Sequence, residues 1–458
     1  MQLPHDLLQK YNQALPRYTS YPPANFFEQH HHSDEMKTLL EQSNQEHPKA
    51  VSLYIHIPFC PKLCLYCGCN TVISKSNIRK AEYLAVLKKE IRKVAAIIDD
   101  SRFVTQVHWG GGTPNYLEIG QVKEIMQLFY DLFRFSGKPE IAMECHPAYL
   151  DKTYIDGLLE IGFNRFSLGI QDFNEKVLST VHRDPSALPV KELTDYIRRD
   201  GKASVNLDFI YGLPFQTPES FANTLQKAIE ANPDRLVTFS YAHVPWIKKQ
   251  QKKLEVFGLP TPDEKMAMFE TAHDLLTGAG YHAIGLDHFA KAEDDLTIAL
   301  NNKVLHRNFQ GYCTRETTGQ VYAFGVSAIS QLNSAYIQNT KTIKTYQQAL
   351  ESDSWPVEKI YVLSKQEQMM RTIIEQLMCN QYLNWEQVAH QENTDIAAMK
   401  AVSAITNEKL DAFAGDGLLE YSDKEIRVTS LGKFFIRNIA AAFDPLLRHT
   451  DKKFSKSV

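Results

Sequence analysis

From Val51 onward the chain repeats one pattern: a short apolar, β-branched run, then a longer stretch whose apolar residues recur at helical spacing. The short runs at 51–57, 105–110, 140–145, 165–170, 203–210 and 235–242 predict strands. The longer stretches near 80–98, 120–133, 150–161, 191–200 and 218–231 predict the helices between them. Near-continuous apolar strands alternating with helices imply a parallel sheet covered on one or both faces. Six such units predict an α/β fold, a partial (β/α)6 barrel whose active site lies at the C-terminal ends of its strands.

Outside that repeat the pattern changes twice. The first stretch is extended by the prolines of Pro16-Arg-Tyr-Thr-Ser-Tyr-Pro22-Pro23, with a short polar helix near 37–45. His30-His31-His32 reads as an exposed polar loop in preference to a metal site. After Ser354-Trp-Pro356, Ser364-Lys-Gln-Glu367 is a capping box that starts a helix, Asn384-Trp-Glu-Gln387 starts a second, and 396–413 predicts a third. Runs 417–421 and 425–428 flank Ser422-Asp-Lys424 as a hairpin, and a last helix follows. The predicted organisation is an N-terminal arm at 1–49, a barrel at 50–350 and a mainly helical, winged-helix-like C-terminal domain at 351–458. Its mixed charge favours a lid or packing module over nucleic-acid contact.

The 458 residues are 43% hydrophobic and 23% charged, ordinary for a globular protein, with a net charge of −4. That balance gives no electrostatic footprint for nucleic acid. No run of about 18 apolar residues predicts a membrane span, and Met1-Gln-Leu-Pro-His-Asp does not read as a secretory signal. The seven cysteines are odd in number and clustered, which is not a disulfide framework, so a cytoplasmic location is expected.

Four of those cysteines lie in ten residues, Cys60-Pro-Lys-Leu-Cys64-Leu-Tyr-Cys67-Gly-Cys69, directly after the first predicted strand. Thiolates this dense hold a soft metal or exchange disulfides. The C-x3-C-x2-C spacing suits three corners of an iron–sulfur cubane with its fourth iron open. Structural zinc and a redox disulfide are the other readings. Polar or glycine residues close the remaining strands: Trp109-Gly-Gly-Gly-Thr-Pro114, Glu144, Gln171-Asp172, Asp208 and Tyr241-Ala-His243. Each has a plain reading as a turn, a cap or an ion-pair partner. Together they put one polar site on one rim.

Cys60-x3-Cys64-x2-Cys67 with Trp109-Gly-Gly-Gly-Thr-Pro114 resembles the radical S-adenosylmethionine (SAM) enzymes, so the predicted fold is a radical-SAM barrel. More narrowly, the chain is similar to the oxygen-independent coproporphyrinogen III dehydrogenases of haem biosynthesis. That likeness rests on 16–22, Cys67-Gly-Cys69-Asn70, 162–173, Asp208-Phe-Ile-Tyr-Gly-Leu-Pro214, 305–312, Gly325-Val-Ser-Ala-Ile-Ser330 and Ile436-Arg-Asn-Ile439. Cys145-His146 and Cys313 depart from the family pattern without removing a motif residue.

The resemblance implies Cys60, Cys64 and Cys67 as ligands of a 4Fe-4S cluster, and two SAM molecules. Tyr54, Gly111, Glu144 and Ile329 would contact the first SAM, and Tyr66, Gly112, Thr113, Gln171, Arg183, Asp208 and Ala242 the second. Tyr54, Cys69, Phe309 and Gln310 are the candidate catalytic residues, and Arg17 and Arg307 candidates to hold substrate carboxylates. The implied chemistry is radical removal of a hydrogen from two propionates of coproporphyrinogen III, with loss of carbon dioxide, giving the vinyl groups of protoporphyrinogen IX. An electron donor and an acceptor are required, and a monomer is expected. Two other classes stand beside this reading: a haem chaperone that keeps the cluster without turnover, and a zinc-stapled DNA-binding protein.

Overall fold

The computed structural model describes residues 3–29, 34–314, 320–452 and 454; the predicted polar loop His30–His32 lies outside them. Its centre is seven parallel strands: β1 (Ala50–Ile57), β2 (Phe103–Gly111), β3 (Phe135–Cys145), β4 (Arg165–Gln171), β5 (Ser204–Tyr211), β6 (Arg235–Ser240) and β7 (Gln320–Phe324). Strands β1 to β6 pair in sequence order, each crossover moving one step the same way, as in a β/α barrel. Six of the seven match the predicted strands. The seventh, β7, pairs parallel with β1 on its other side. Beyond β7 the sheet continues antiparallel through Ile329–Gln331, Ala335–Asn339 and Val357–Val362. Beyond β6 it continues through His288–Ala290 and His282–Gly285.

The helices form where their ends are capped and their apolar stripes meet the sheet. Asn77–Ala95 starts at Ser76, whose hydroxyl accepts from Arg79 N, and buries Leu84, Leu87 and Ile91. Lys152–Ile161 runs from the Asp151 cap to Gly162, which takes the left-handed conformation at φ 109°. Pro218–Glu230 starts in a capping box between Thr217 and Ser220 and buries Phe221 and Leu225.

The strands are not uniformly apolar, which corrects the expectation of near-continuous apolar runs. In β4, Phe166, Leu168 and Ile170 are buried in the apolar core, while Arg165, Ser167, Gly169 and Gln171 line a cavity on the other face. Strand β5 does the same with Val205, Leu207 and Phe209 against Asn206, Asp208 and Ile210. The concave face is therefore polar. At the other end of those strands Arg165 Nε meets Glu140 at 2.5 Å, and Arg235 Nε meets Asp294 at 2.8 and 2.9 Å. Burial opposes ionisation of Glu140, yet Arg165 and Arg235 hold it down at about 2.

A second apolar cluster joins the N-terminal segment to the C-terminal helices. Tyr11 stacks on Phe413 at 5.7 Å, and the Tyr18 and Tyr21 hydroxyls donate to Asp444 at 2.8 and 3.0 Å. The C-terminal helices Lys365–Glu375 and Trp385–Gln391 start at their predicted caps. Leu419–Tyr421 and Glu425–Val428 form the predicted hairpin, extended by Tyr382–Asn384. The predicted helix at 396–413 is instead two, Ile396–Ala401 and Asn407–Gly415. Thr406 caps the second, and Ala404 N donates to Phe443 O, so the chain turns between them.

Candidate active site

The cysteine loop leaves the end of β1 and is pinned from both sides. Gly112 N donates to Ile57 O and Thr113 N to Phe59 O, while Leu65 N reaches Val181 O at 2.9 Å. Cys60 Sγ lies 3.2 Å from Thr113 Oγ1, and Arg183 points at Cys64 Sγ from 4.0 Å. A hydrogen bond with Cys69 is the chief cause that pulls Cys67 down to about 6, whereas burial pushes Cys60 up to about 11. All seven cysteines are free thiols.

The glycine run that ends β2 exists for close approach. A Cβ at Gly112 would lie 2.8 Å from the carbonyl carbon and oxygen of Pro58, in the backbone of the cysteine loop. Gly111 has φ 112°, and a Cβ there would lie 2.7 Å from the His56 ring. These absent side chains let the β2 end, the cysteine loop and Glu144 share one corner. Glu144 shares a 3.0 Å hydrogen bond with His108 Nε2 and accepts from Gly111 N at 3.3 Å. Burial raises the Glu144 pKa, but these bonds outweigh it and keep the carboxylate below its ordinary value.

The opposite wall is built by β4 and β5. Asp208 accepts from Ser167 Oγ at 2.7 Å and Asn206 Nδ2 at 2.8 Å. Burial pushes it up to about 6, with the Glu144 charge adding and those hydrogen bonds opposing. Arg183 donates to the Gly169 carbonyl, and a Cβ at Gly169 would meet both Arg183 and Gln171 within 2.9 Å. Gln171 Oε1, Arg183 Nε and Asn206 Oδ1 are buried with no hydrogen-bond partner among the described residues. Orphaned polar atoms at one place mark a site built for a polar ligand.

Cys60, Cys64, Cys67 and Cys69 line a cavity of about 420 Å³ together with Tyr66, Gly111, Gly112, Thr113, Glu144, Gln171, Arg183, Asp208 and Gln310. Of the predicted cofactor and catalytic residues four stand back from it, and so do the two candidate substrate arginines, Arg17 and Arg307. Tyr54 stacks on His108 at 5.9 Å and its hydroxyl meets His56 Nδ1 at 3.2 Å. Phe309 packs edge-on against Tyr336 at 5.8 Å, in a cluster that also holds Ile329. Ala242 offers its carbonyl to Gln251 at 3.2 Å. His108, Ser167 and Asn206 also line the cavity and were missed by the sequence reading; only Asn206 could have been found by strand alternation, two residues before Asp208. His146 caps a short turn by accepting from Ala148 N, and its backbone N–H and carbonyl pair with the Asn115 side-chain amide at 2.9 and 3.0 Å. Burial lowers its pKa to about 2. Cys145 is buried, and its thiol donates to Met143 O at 3.7 Å.

Comparison with known proteins agrees with this arrangement. The radical SAM superfamily matches residues 54–228, and the HemN C-terminal domain matches 363–435. The oxygen-independent coproporphyrinogen III oxidase of Synechocystis sp. is 41% identical, covering 99% of this chain and 97% of its own. That of Escherichia coli is 40% identical, covering 96% and 95%. The solved structure of coproporphyrinogen III oxidase (HemN) from Escherichia coli, a radical SAM enzyme, superposes with a TM-score of 0.88 at 38% identity, over 97% of this chain and 100% of that one. With such likeness along its whole length, the chain belongs to the oxygen-independent coproporphyrinogen III oxidases of the radical SAM superfamily.

Proposed function

We propose that this chain converts coproporphyrinogen III to protoporphyrinogen IX without oxygen. The observation that carries the reading is one polar cavity in which a three-cysteine loop, a glycine run and orphaned polar groups meet. The donor set fits the family's cofactors. Among the described residues no group of three or more His, Cys, Asp or Glu converges as a single metal ion requires. Cys60, Cys64 and Cys67 would each hold one iron of a 4Fe-4S cubane, which needs no such convergence on one ion. When bound, cluster and SAM supply a 5′-deoxyadenosyl radical and methionine from one added electron.

The chain's own residues do the rest. Glu144, kept ionised, would accept from the ammonium or ribose hydroxyls of a SAM beside the glycine run. Arg183, Gln171 and Asp208 would hold a second SAM, the guanidinium offering a partner for a carboxylate. Tyr54 backs the first site through His56 and His108. Cys69 and Gln310 bound the reacting space, and Phe309, next to Gln310, packs behind it. For the propionates, Arg307 keeps Nε and Nη1 buried and, among the described residues, without a hydrogen-bond partner, whereas Arg17 is engaged by Asp287. Each propionate loses a β-hydrogen atom, carbon dioxide and one electron, leaving a vinyl group.

We also read residues 1–49, 50–350 and 351–458 as arm, barrel and C-terminal domain, and the chain as a cytoplasmic monomer served by an external electron donor and acceptor. No described helix is long and apolar enough to cross a membrane. The test is anaerobic incubation of reduced, iron-reconstituted protein with SAM and coproporphyrinogen III. Protoporphyrinogen IX should form with one 5′-deoxyadenosine per carbon dioxide released. SAM cleavage without any vinyl product would refute the substrate assignment.

A further inference from the structure

A surface beside the cysteine loop is not used by this chemistry. Between Tyr241 and Gly258 the chain leaves β6, crosses two short helical turns, Lys249–Gln251 and Lys252–Glu255, and presents an unusual face. Trp246 is 70% exposed, Ile247 67%, Val256 79% and Phe257 46%. Phe215, also exposed, lies 5.9 Å from Phe257 and carries Lys176 over its ring at 3.8 Å. Single exposed apolar residues are ordinary, but several on one short segment mark a contact surface.

The patch is also basic. Lys249, Lys252 and Lys253, all exposed, stand against one carboxylate of the segment, Glu255, which His243 engages at 2.9 Å, in a chain whose net charge is −4. The inner side of the same segment is fixed to the cysteine loop. Lys248 Nζ donates to Cys69 O at 2.8 Å, Gln250 Nε2 to Cys67 O at 2.9 Å and Gln251 Nε2 to Tyr66 O at 2.9 Å. Leu254 is buried in one cluster with Leu65 of that loop. The segment thus has an outer apolar, cationic face and an inner face bonded to the backbone that carries the cluster ligands.

We propose that this face docks an acidic, one-electron carrier protein that reduces the cluster held by Cys60, Cys64 and Cys67. In the step itself the carrier is oxidised by one electron and the cluster is reduced by one, with no bond made or broken. The partner's acidity follows from charge complementarity with the lysines, which steers encounter. Its contact is a small one around Trp246 and Phe257, as suits a transient electron-transfer complex.

The inference rests on the radical SAM reading above, and the experiment separates the two. In the holoenzyme, SAM cleavage is driven either by a reduced acidic flavodoxin or by dithionite, for the wild type and for Lys249→Glu/Lys252→Glu/Lys253→Glu and Trp246→Ser. Binding of oxidised flavodoxin is measured in parallel by calorimetry at two salt concentrations. The variants should raise the KM for flavodoxin and its Kd by about tenfold or more, with a weaker salt dependence, and leave the dithionite rate unchanged. An unchanged KM and Kd would overturn the docking proposal while leaving the function intact. So would a fall in the dithionite rate, which would make the patch structural. Binding of phosphatidylserine vesicles that needs Trp246, with no effect on flavodoxin, would assign the face to a membrane surface and overturn it too. A wild type that cannot cleave SAM even with dithionite would sink the function, and the proposal with it.

Discussion

Three glycines in a row do different work at the end of β2, and Gly112 is the most constrained by its surroundings. Its missing Cβ is the space occupied by the Pro58 carbonyl, which is backbone and cannot swing aside. Gly112→Ala must therefore push the cysteine loop away from β2. Overpacking of this kind costs on the order of 1–3 kcal/mol. Thermal denaturation should show that loss, and equilibrium dialysis with SAM should show weakened binding in the same variant. A stable variant with unchanged SAM affinity would mean the loop tolerates displacement. The residue types at this corner were readable early, because cysteines at C-x3-C-x2-C and a glycine run advertise themselves. The supporting groups were not: His108 and Ser167 gain meaning only once strand pairing puts them beside Glu144 and Asp208.

At the scale of elements, a buried carboxylate ties three of them together. Glu90, fully buried on the helix Asn77–Ala95, accepts from Gly325 N at 2.7 Å, Tyr346 Oη at 2.5 Å and Asn339 Nδ2 at 2.6 Å. Burial pushes its pKa from 4.5 up to about 7 against those hydrogen bonds. The folded state therefore holds this proton more tightly than the unfolded chain does. Its stabilising contribution is fully present below pH 4.5 and is lost as the pH rises through about 7. The swing is roughly 3 kcal/mol. Glu90→Gln should remove this part of the pH dependence, seen as a flatter curve of urea midpoints between those limits. An unchanged curve would show that Glu90 is ionised in both states. The strand at β4 was legible as an element, but Arg-Phe-Ser-Leu-Gly-Ile-Gln alternates in burial where a near-continuous apolar run was expected. Strand β7 was not, because Gln320–Phe324 is short, fully buried and reached only after a long excursion. The break at 402–406 was hidden by helix-compatible composition, although Thr406 carried a cap signal.

Over the whole molecule, the N-terminal segment and the C-terminal helices close on each other far from their places in sequence, through Tyr18 and Tyr21 on Asp444. Composition could not reveal that pairing, since polar anchors at such separation have no local signature. Barrel order and rim position were legible because helix and strand periods alternate so regularly. The account as a whole rests on three thiolates leaving one iron of a cubane open to SAM. Mössbauer spectroscopy of anaerobically reconstituted, 57Fe-enriched protein, with and without SAM, tests this most directly. One iron site of the 4Fe-4S cluster should shift on SAM addition, and Cys64→Ala should abolish the cluster signal. Zinc in place of iron, or a cluster spectrum indifferent to SAM, would contradict the account.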